Sequence, residues 1–297
     1  MDILWNSLSS ELQNKIFEYI VIDIGDDTTA LREWSLLIPF AKFKLDLKHT
    51  FATPDRILIL DSSAAETLDD LKFQGTESNK YVRTPNVELV VKILMEEPSL
   101  VTLNLSENKI GDSGIEKLAN ALKINTTLMH LDLNSNRIGP VGAKCLAIPL
   151  KSTSFRLVTL NLQCNFIGDD GCSSVSEMLK TNSNLAKLDL SFNKITAASA
   201  KKLAEALTVN DTLRRLSLWG NYIGPAGAKD LAQGLEDNIT LLVLDLTANK
   251  LGSTGAKYLI RSLETNKTLS ELCLSHKDIK KQHRRRLPRF IRRRIRT

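Results

Sequence analysis

The chain has 297 residues, 42% of them hydrophobic, with four cysteines and a formal charge of +6. That is ample for a large core, and no apolar run reaches the roughly 20 residues a membrane-spanning helix needs. Cys145, Cys164, Cys172 and Cys273 form no Cys-x-x-Cys pair and no metal-ligand spacing, so they read as free thiols of a reducing compartment. Eleven of the 40 Lys and Arg, but one of the 34 acids, fall in residues 277–297. A mildly acidic body therefore carries a strongly basic tail, and the two need separate explanations. Asp2 sits early, and no basic start precedes an apolar stretch, which argues against a secretory signal. The expected location is cytoplasmic, with nuclear entry open to a chain that ends this way.

Residues 1–50 are expected to be a small helical element. Ser9 or Ser10 can cap a helix on which Leu12, Ile16, Tyr19 and Ile20 share one face. Leu8, Glu11, Leu12, Ile16, Phe17, Tyr19 and Ile20 resemble the opening of an F-box, with Ser9 where that family has proline. Leu31, Trp34, Leu36, Leu37 and Phe40 could supply its second apolar part, in an order that departs from the family pattern. The resemblance implies that Leu8, Leu12, Ile16, Phe17 and Ile20 dock a Skp-type adaptor of a cullin ubiquitin ligase. The residues by themselves allow a second role, a helical cap over the open end of the repeats that follow.

Residues 51–99 read as a degenerate opening repeat or linker, with a strand at 56–60 and a helix at 86–97. From Leu100 a phrase recurs: Leu-x-x-Leu-x-Leu-x-x-Asn. It opens at Leu100, Leu128, Leu157, Leu185, Leu213 and Leu241, and its Asn falls at Asn108, Asn136, Asn165, Asn193, Asn221 and Asn249. A seventh copy opens at Leu269 but has Lys277 in place of Asn, so the array is expected to end there. A fixed period of about 28 residues means stacked units, none of which buries its apolar face alone. The nine-residue phrase alternates as a strand does, with leucines at the first, fourth and sixth places pointing inward. The ninth-place Asn would be buried, its amide bonding backbone of the neighbouring coil.

In four units Ile-Gly-x-x-Gly follows, permitting a tight turn into a helix; the fourth unit has Thr196 and Ser199 at the glycine positions. Helical spacing then runs through Ile115, Leu118, Ala119 and Leu122, and through Ala200, Leu203, Ala204 and Leu207. Pro149 and an extra residue near Phe155 predict a short or kinked helix in the second unit. Asn-x-Thr closes most helices. Four of the five sequons, at Asn125, Asn210, Asn238 and Asn266, come from this turn, with Asn104 apart, so repeat grammar explains them better than glycosylation. One strand and one helix per unit, the helix being wider, give an α/β right-handed βα solenoid curved with its strands inside. The units at 100–276 resemble the ribonuclease-inhibitor class of leucine-rich repeats, also found in nucleotide-binding innate-immune receptors, and the resemblance covers roughly residues 86–276. That resemblance implies a horseshoe and a binding function without naming the partner.

Side chains at the third, fifth, seventh and eighth places face out from the concave sheet. Early units carry small polar residues there, such as Thr102, Asn104, Thr159 and Asn161. Later units change character: Lys187, Asp189 and Phe192, then Arg215 and Trp219, then Asp245. Neighbouring strands are about 4.8 Å apart, so these six form one candidate patch for a protein partner. Phe166 and Tyr222, just after the Asn, would extend its rim. The alternative is that Trp219 and Phe192 only pack on each other. Asp189 and Asp245 face open solvent with no His or Cys beside them in the pattern, and His130 and His276 stand apart. Without a nucleophile–base pair, phosphate loop or metal set, no enzyme, cofactor, metal or small-molecule substrate is expected.

In residues 277–297 Arg284, Arg285, Arg286, Arg292, Arg293 and Arg294 are candidate anion-binding residues. Their density suits an import receptor, nucleic acid or an anionic membrane surface, and Leu287, Phe290, Ile291 and Ile295 allow an amphipathic helix. A plainer role is a solvated tail whose apolar residues partly cap the last repeat. Three functional readings follow: a substrate receptor of a ubiquitin ligase, an adaptor-free repeat scaffold in regulatory or innate-immune-like signalling, and an anion-binding protein driven by its tail.

Overall fold

The computed structural model describes residues 45–46, 70–72, 87–96, 101–152, 155–279 and 293–296. The adaptor-type residues Leu8, Leu12, Ile16, Phe17 and Ile20, the strand expected at 56–60 and the tail from 280 to 292 lie outside them.

Each repeat phrase forms a strand of three residues, centred on its fourth-place leucine. In chain order the strands are β1 (Leu45–Asp46), β2 (Asp70–Lys72), β3 (Thr102–Asn104), β4 (His130–Asp132), β5 (Thr159–Asn161), β6 (Lys187–Asp189), β7 (Arg215–Ser217), β8 (Val243–Asp245), β9 (Glu271–Cys273) and β10 (Ile295–Arg296). They make one parallel sheet in strict chain order. Between them run α1 (Val87–Glu96), α2 (Gly111–Leu122), α3 (Pro140–Leu150), α4 (Gly168–Leu179), α5 (Ala197–Val209), α6 (Gly224–Asp237) and α7 (Gly252–Thr265). From α1 onward each helix packs on the next. A βα solenoid results, as the period requires.

The leucines set the register. Leu103, Leu131, Leu160, Leu188, Leu216, Leu244 and Leu272 pair with one another across the sheet and are all but inaccessible to solvent. Each such burial stabilises the stack by roughly 1.5–3 kcal/mol, so a one-residue slip, which would turn the row to water, is excluded. Small residues fill the helix side: Ala143, Ala200 and Ala228 are fully buried, which keeps neighbouring helices close.

Two asparagine ladders tie coil to coil. At the ninth place, Asn136, Asn165, Asn193, Asn221 and Asn249 donate their Nδ2 to the preceding coil's sixth-place carbonyl, on Leu105, Leu133, Leu162, Leu190 and Leu218, at 2.7–3.0 Å. Their Oδ1 accepts that coil's N–H groups, as Asn165 does from Asn136 at 3.0 Å and from Ile138 at 2.9 Å. The second ladder stands at the helix exits. Asn125, Asn182, Asn210, Asn238 and Asn266 donate to Leu94, Leu150, Leu179, Leu207 and Leu235 carbonyls of the preceding coil at 2.7–3.0 Å. Their Oδ1 accepts the N–H of the leucine that opens the next phrase. Four of these amides belong to sequons and are buried, so the folded chain offers no glycan acceptor there.

The irregular units have local explanations. Pro149 falls next to last in α3, where the helix tightens: the N–H groups of Lys151 and Ser152 bond Ile148 and Pro149 carbonyls. At 11 residues α3 is shorter than α2 or α4 by one. Phe155, in the extra stretch, is buried and plugs the space. In the fourth unit Asp169 of the preceding coil binds both replacements of glycine, accepting from Thr196 Oγ1 and Ser199 Oγ at 2.6 Å each. Burial pushes the Asp169 carboxyl up, but the bonds from Ser199 and Thr196 outweigh it and hold it below its ordinary value.

The array does not end at Lys277. After 13 residues outside the described set, the chain returns as β10, pairing Ile295 with Leu272 and Arg296 with Cys273. Arg294 stands 28 residues after Asn266 and acts as the next rung of the helix-exit ladder. Its guanidinium donates to the carbonyls of Leu263 (3.2 Å), Asn266 (2.9 Å) and Leu269. Ile295 is buried, and Arg296 pairs with Glu271 at 3.1 Å. The sheet also begins earlier than expected, since β1 lies within the segment assigned to a helical element.

Replacing Asn193 by Leu would orphan the Ile167 N–H at the centre of the stack and leave the Leu162 carbonyl with Asn165 as its remaining amide donor. At about 1–3 kcal/mol for one buried orphan, urea unfolding should show a loss of about 2 kcal/mol. Arg294→Ala should instead lower hydrogen-exchange protection in the last coil only, because a solenoid frays from its ends.

Candidate functional site

The concave face carries the third-, fifth-, seventh- and eighth-place side chains, and each column has its own chemistry. At the third place Lys187 and Arg215 are direct partners across β6 and β7, both exposed. Neither makes an ion pair within 4 Å among the described residues. Two like charges side by side are unfavourable alone and are relieved by an anion from outside.

The fifth place is a column of Asp and Asn with a structural duty. Asn104, Asp132, Asn161, Asp189 and Asp245 each accept the N–H two residues on, at 2.8–3.0 Å, which turns the chain out of the strand. Asp189 and Asp245 therefore owe one oxygen to the turn and keep the other for the concave surface. Burial raises the Asp189 carboxyl above its ordinary value, against the Ser191 hydrogen bonds, and Asp245 and Asp132 raise it further. At the same place in β7, Ser217 replaces the acid, and its hydroxyl pairs with that of Ser191 at 2.7 Å.

Phe192 and Trp219 meet at the end of these strands. Their ring centroids are 4.6 Å apart with planes at 68°, an edge-to-face contact. Each remains about 40% exposed, at 39% and 40%. Gly220, at φ +70°, makes the contact possible, because a Cβ there would lie 2.4 Å from the Phe192 ring. The two aromatics do pack on each other, and they still present an apolar surface on the same two coils whose strands begin with Lys187 and Arg215.

Of the six residues expected to form the patch, Lys187, Asp189, Phe192, Arg215 and Trp219 lie on two adjacent coils, with Phe192 and Trp219 in the turns past β6 and β7, and Asp245 lies one coil further. In the tail, the place of Arg294 among candidate anion ligands is corrected: its guanidinium is taken up by backbone carbonyls of the last coil. Arg293 is exposed, and Arg284, Arg285, Arg286 and Arg292 lie outside the described residues.

Reading by strand columns missed the row just past the buried Asn. There, successive coils present Lys109, Arg137, Phe166, Lys194, Tyr222 and Lys250. The Lys194 ammonium lies 4.8 Å from the Phe166 ring centre, and that of Lys250 lies 4.9 Å from Tyr222. Aligning the units by their Asn would have exposed this row; only its two aromatics are conspicuous otherwise.

Six stretches of the chain, 97–119, 125–147, 154–176, 181–204, 209–232 and 237–259, match the leucine-rich repeat family. This is a leucine-rich repeat protein. No curated protein matches it. Among solved structures, actin-binding site 2 of leiomodin-1 is 20% identical, with a TM-score of 0.39 over 61% of this chain and 89% of that one. The tropomodulin C-terminal domain of Caenorhabditis elegans is 16% identical, with a TM-score of 0.44 over 51% of this chain and 92% of that one. At this level of likeness neither carries an argument about what this repeat protein binds.

The repeat protein's thiols divide by environment. Burial pushes Cys172 up to about 12, whereas Cys164 is exposed on the concave face. Iodoacetamide at mildly alkaline pH should alkylate Cys164 in the native chain and reach Cys172 only on unfolding, as peptide mass mapping will report. Gly220→Ala should separate Phe192 from Trp219 and shift the Trp219 contribution to the fluorescence emission, at a cost of about 1–3 kcal/mol from the left-handed backbone and the contact.

Proposed function

We propose that this leucine-rich repeat protein is a recognition scaffold that holds a protein partner on its concave face at units four to six. The observation that carries this reading is the half-exposed Phe192–Trp219 pair on the same two coils as the adjacent Lys187 and Arg215, on a sheet whose register is fixed. Aromatics and arginine supply most binding hot spots, and a rigid sheet presents them without an ordering cost. A surface of this kind positions a partner and does no chemistry on it.

The finer reading makes the scaffold a substrate receptor of a cullin ubiquitin ligase, acting in the cytoplasm or nucleus. It is supported by the F-box-like pattern of Leu8, Leu12, Ile16, Phe17 and Ile20. The N-terminal segment would hold a Skp-type adaptor while the concave face holds the target, which raises the target's effective concentration at the ligase. The exposed arginines of the tail would serve an import receptor or another anionic partner.

Affinity capture of the full chain tests both levels. Trp219→Ala should weaken a captured concave-face partner by about 2 kcal/mol, near 30-fold in Kd, and an unchanged Kd removes the patch from the interface. Leu12→Asp with Ile16→Asp should abolish recovery of a Skp-type adaptor while leaving the target bound. If the unaltered chain recovers no such adaptor, the ligase reading fails and an adaptor-free scaffold remains.

A further inference from the structure

We propose that the row one residue past the buried asparagines is a second docking surface, and that it takes an extended, carboxylate-rich peptide segment. The proposal rests on the scaffold reading and adds a partner chemistry to it. Arg137, Phe166, Lys194, Tyr222 and Lys250 occupy the same place in five successive coils, with Lys109 one coil before. Phe166 and Lys194 touch across neighbouring coils, as do Tyr222 and Lys250, so the row holds two cation–aromatic pairs one coil apart. Arg137, Lys194 and Lys250 are exposed, and none of these three or Lys109 is ion-paired within 4 Å among the described residues. The acids two or three residues further along are engaged elsewhere: Asp112 accepts the Gly139 N–H, and Asp169 binds Thr196 and Ser199.

The fold does not ask for these cations. Lys109, Arg137, Lys194 and Lys250 have φ of 54–61°, a left-handed backbone that glycine or asparagine adopts more easily. The backbone thus does not select their charge, which stays available to an acidic ligand. The rings act as supports. An ammonium resting on an aromatic face is drawn out of its rotamer freedom and held along the row.

A peptide fits better than single-stranded nucleic acid. Bases stack on free aromatic faces, and here each ring has a lysine over a face. On the same concave face, beyond the seventh and eighth places, runs the fifth-place column of Asp132, Asp189 and Asp245, which would repel a backbone charged at every unit. A peptide strand can send carboxylates outward to the row and neutral side chains inward, since alternate side chains point to opposite sides.

The test uses the full-length chain with Arg284, Arg285 and Arg286 changed to serine, so that the tail does not compete. A fluorescent oligoglutamate peptide is the probe, titrated at low and at physiological salt. Lys194→Glu with Lys250→Glu should weaken binding about tenfold or more at low salt, with the difference shrinking as salt rises. Lys194→Arg with Lys250→Arg should retain it. Lys201→Glu with Lys229→Glu, the same charge change on the helices, should leave it within about twofold. Equal losses from the two reversals would overturn the proposal, as would tighter, row-dependent binding of oligodeoxythymidylate. Trp219→Ala, read by partner capture, reports on the concave patch separately: its loss of partner with an unaltered peptide Kd in the row variants leaves the scaffold standing and removes the row.

Discussion

A primary amide buried in a leucine core is costly unless every one of its hydrogen-bonding groups finds a partner, and its own coil offers carbonyls to the amide hydrogens but leaves the amide oxygen to the neighbouring coil. The ninth-place asparagine reaches into the preceding coil, where the turn leaves two N–H groups open and a carbonyl accepts a second bond. The bond is therefore available only when a neighbour is stacked in register. This reciprocity makes the array cooperative along its axis: a coil alone leaves the amide oxygen and the turn's N–H groups without each other, and stacking pairs them. The helix-exit ladder repeats the device on the other side, so each coil is pinned at both ends of its strand.

Fixing the register has a consequence at the surface. Once the leucines and asparagines are locked, every other place in the repeat becomes a column, and the columns are free to vary in chemistry without disturbing the stack. The cations of β6 and β7, the acids of the fifth place, the aromatic pair and the cationic row past the asparagines are four parallel stripes on one rigid frame. A partner that reads two stripes gains from their fixed spacing, because the ordering cost is borne by the scaffold's own folding.

The ends of a solenoid pose the opposite difficulty, since the last coil has no successor to bond. Here a lone arginine takes the place of asparagine in the ladder. Its fork of donors reaches three carbonyls at once, which a single amide could not, and the buried Ile295 beside it covers the leucine row. Part of a strongly basic tail is thus structural, and its charge says less about partners than its density suggests.

The period, the parallel solenoid, the inward leucines and the cross-coil role of the buried asparagines were legible in the sequence because each follows from spacing alone: a residue type that recurs every 28 places must meet its own copies. The composition of the Lys187, Arg215, Phe192 and Trp219 patch was legible for the same reason, once the strands were taken as parallel. What spacing could not tell was how two residues at different places in the repeat meet. The contact of Phe192 with Trp219 depends on Gly220 yielding room, the turn-forming duty of Asp189 and Asp245 depends on backbone direction, and the ammonium of Lys194 over Phe166 depends on two side chains from different coils. Arg294 as a rung was hidden by its type, because nothing in a run of arginines marks the one that turns inward. Only packing decides that, by leaving three carbonyls open at the end of the stack and one guanidinium within reach of them.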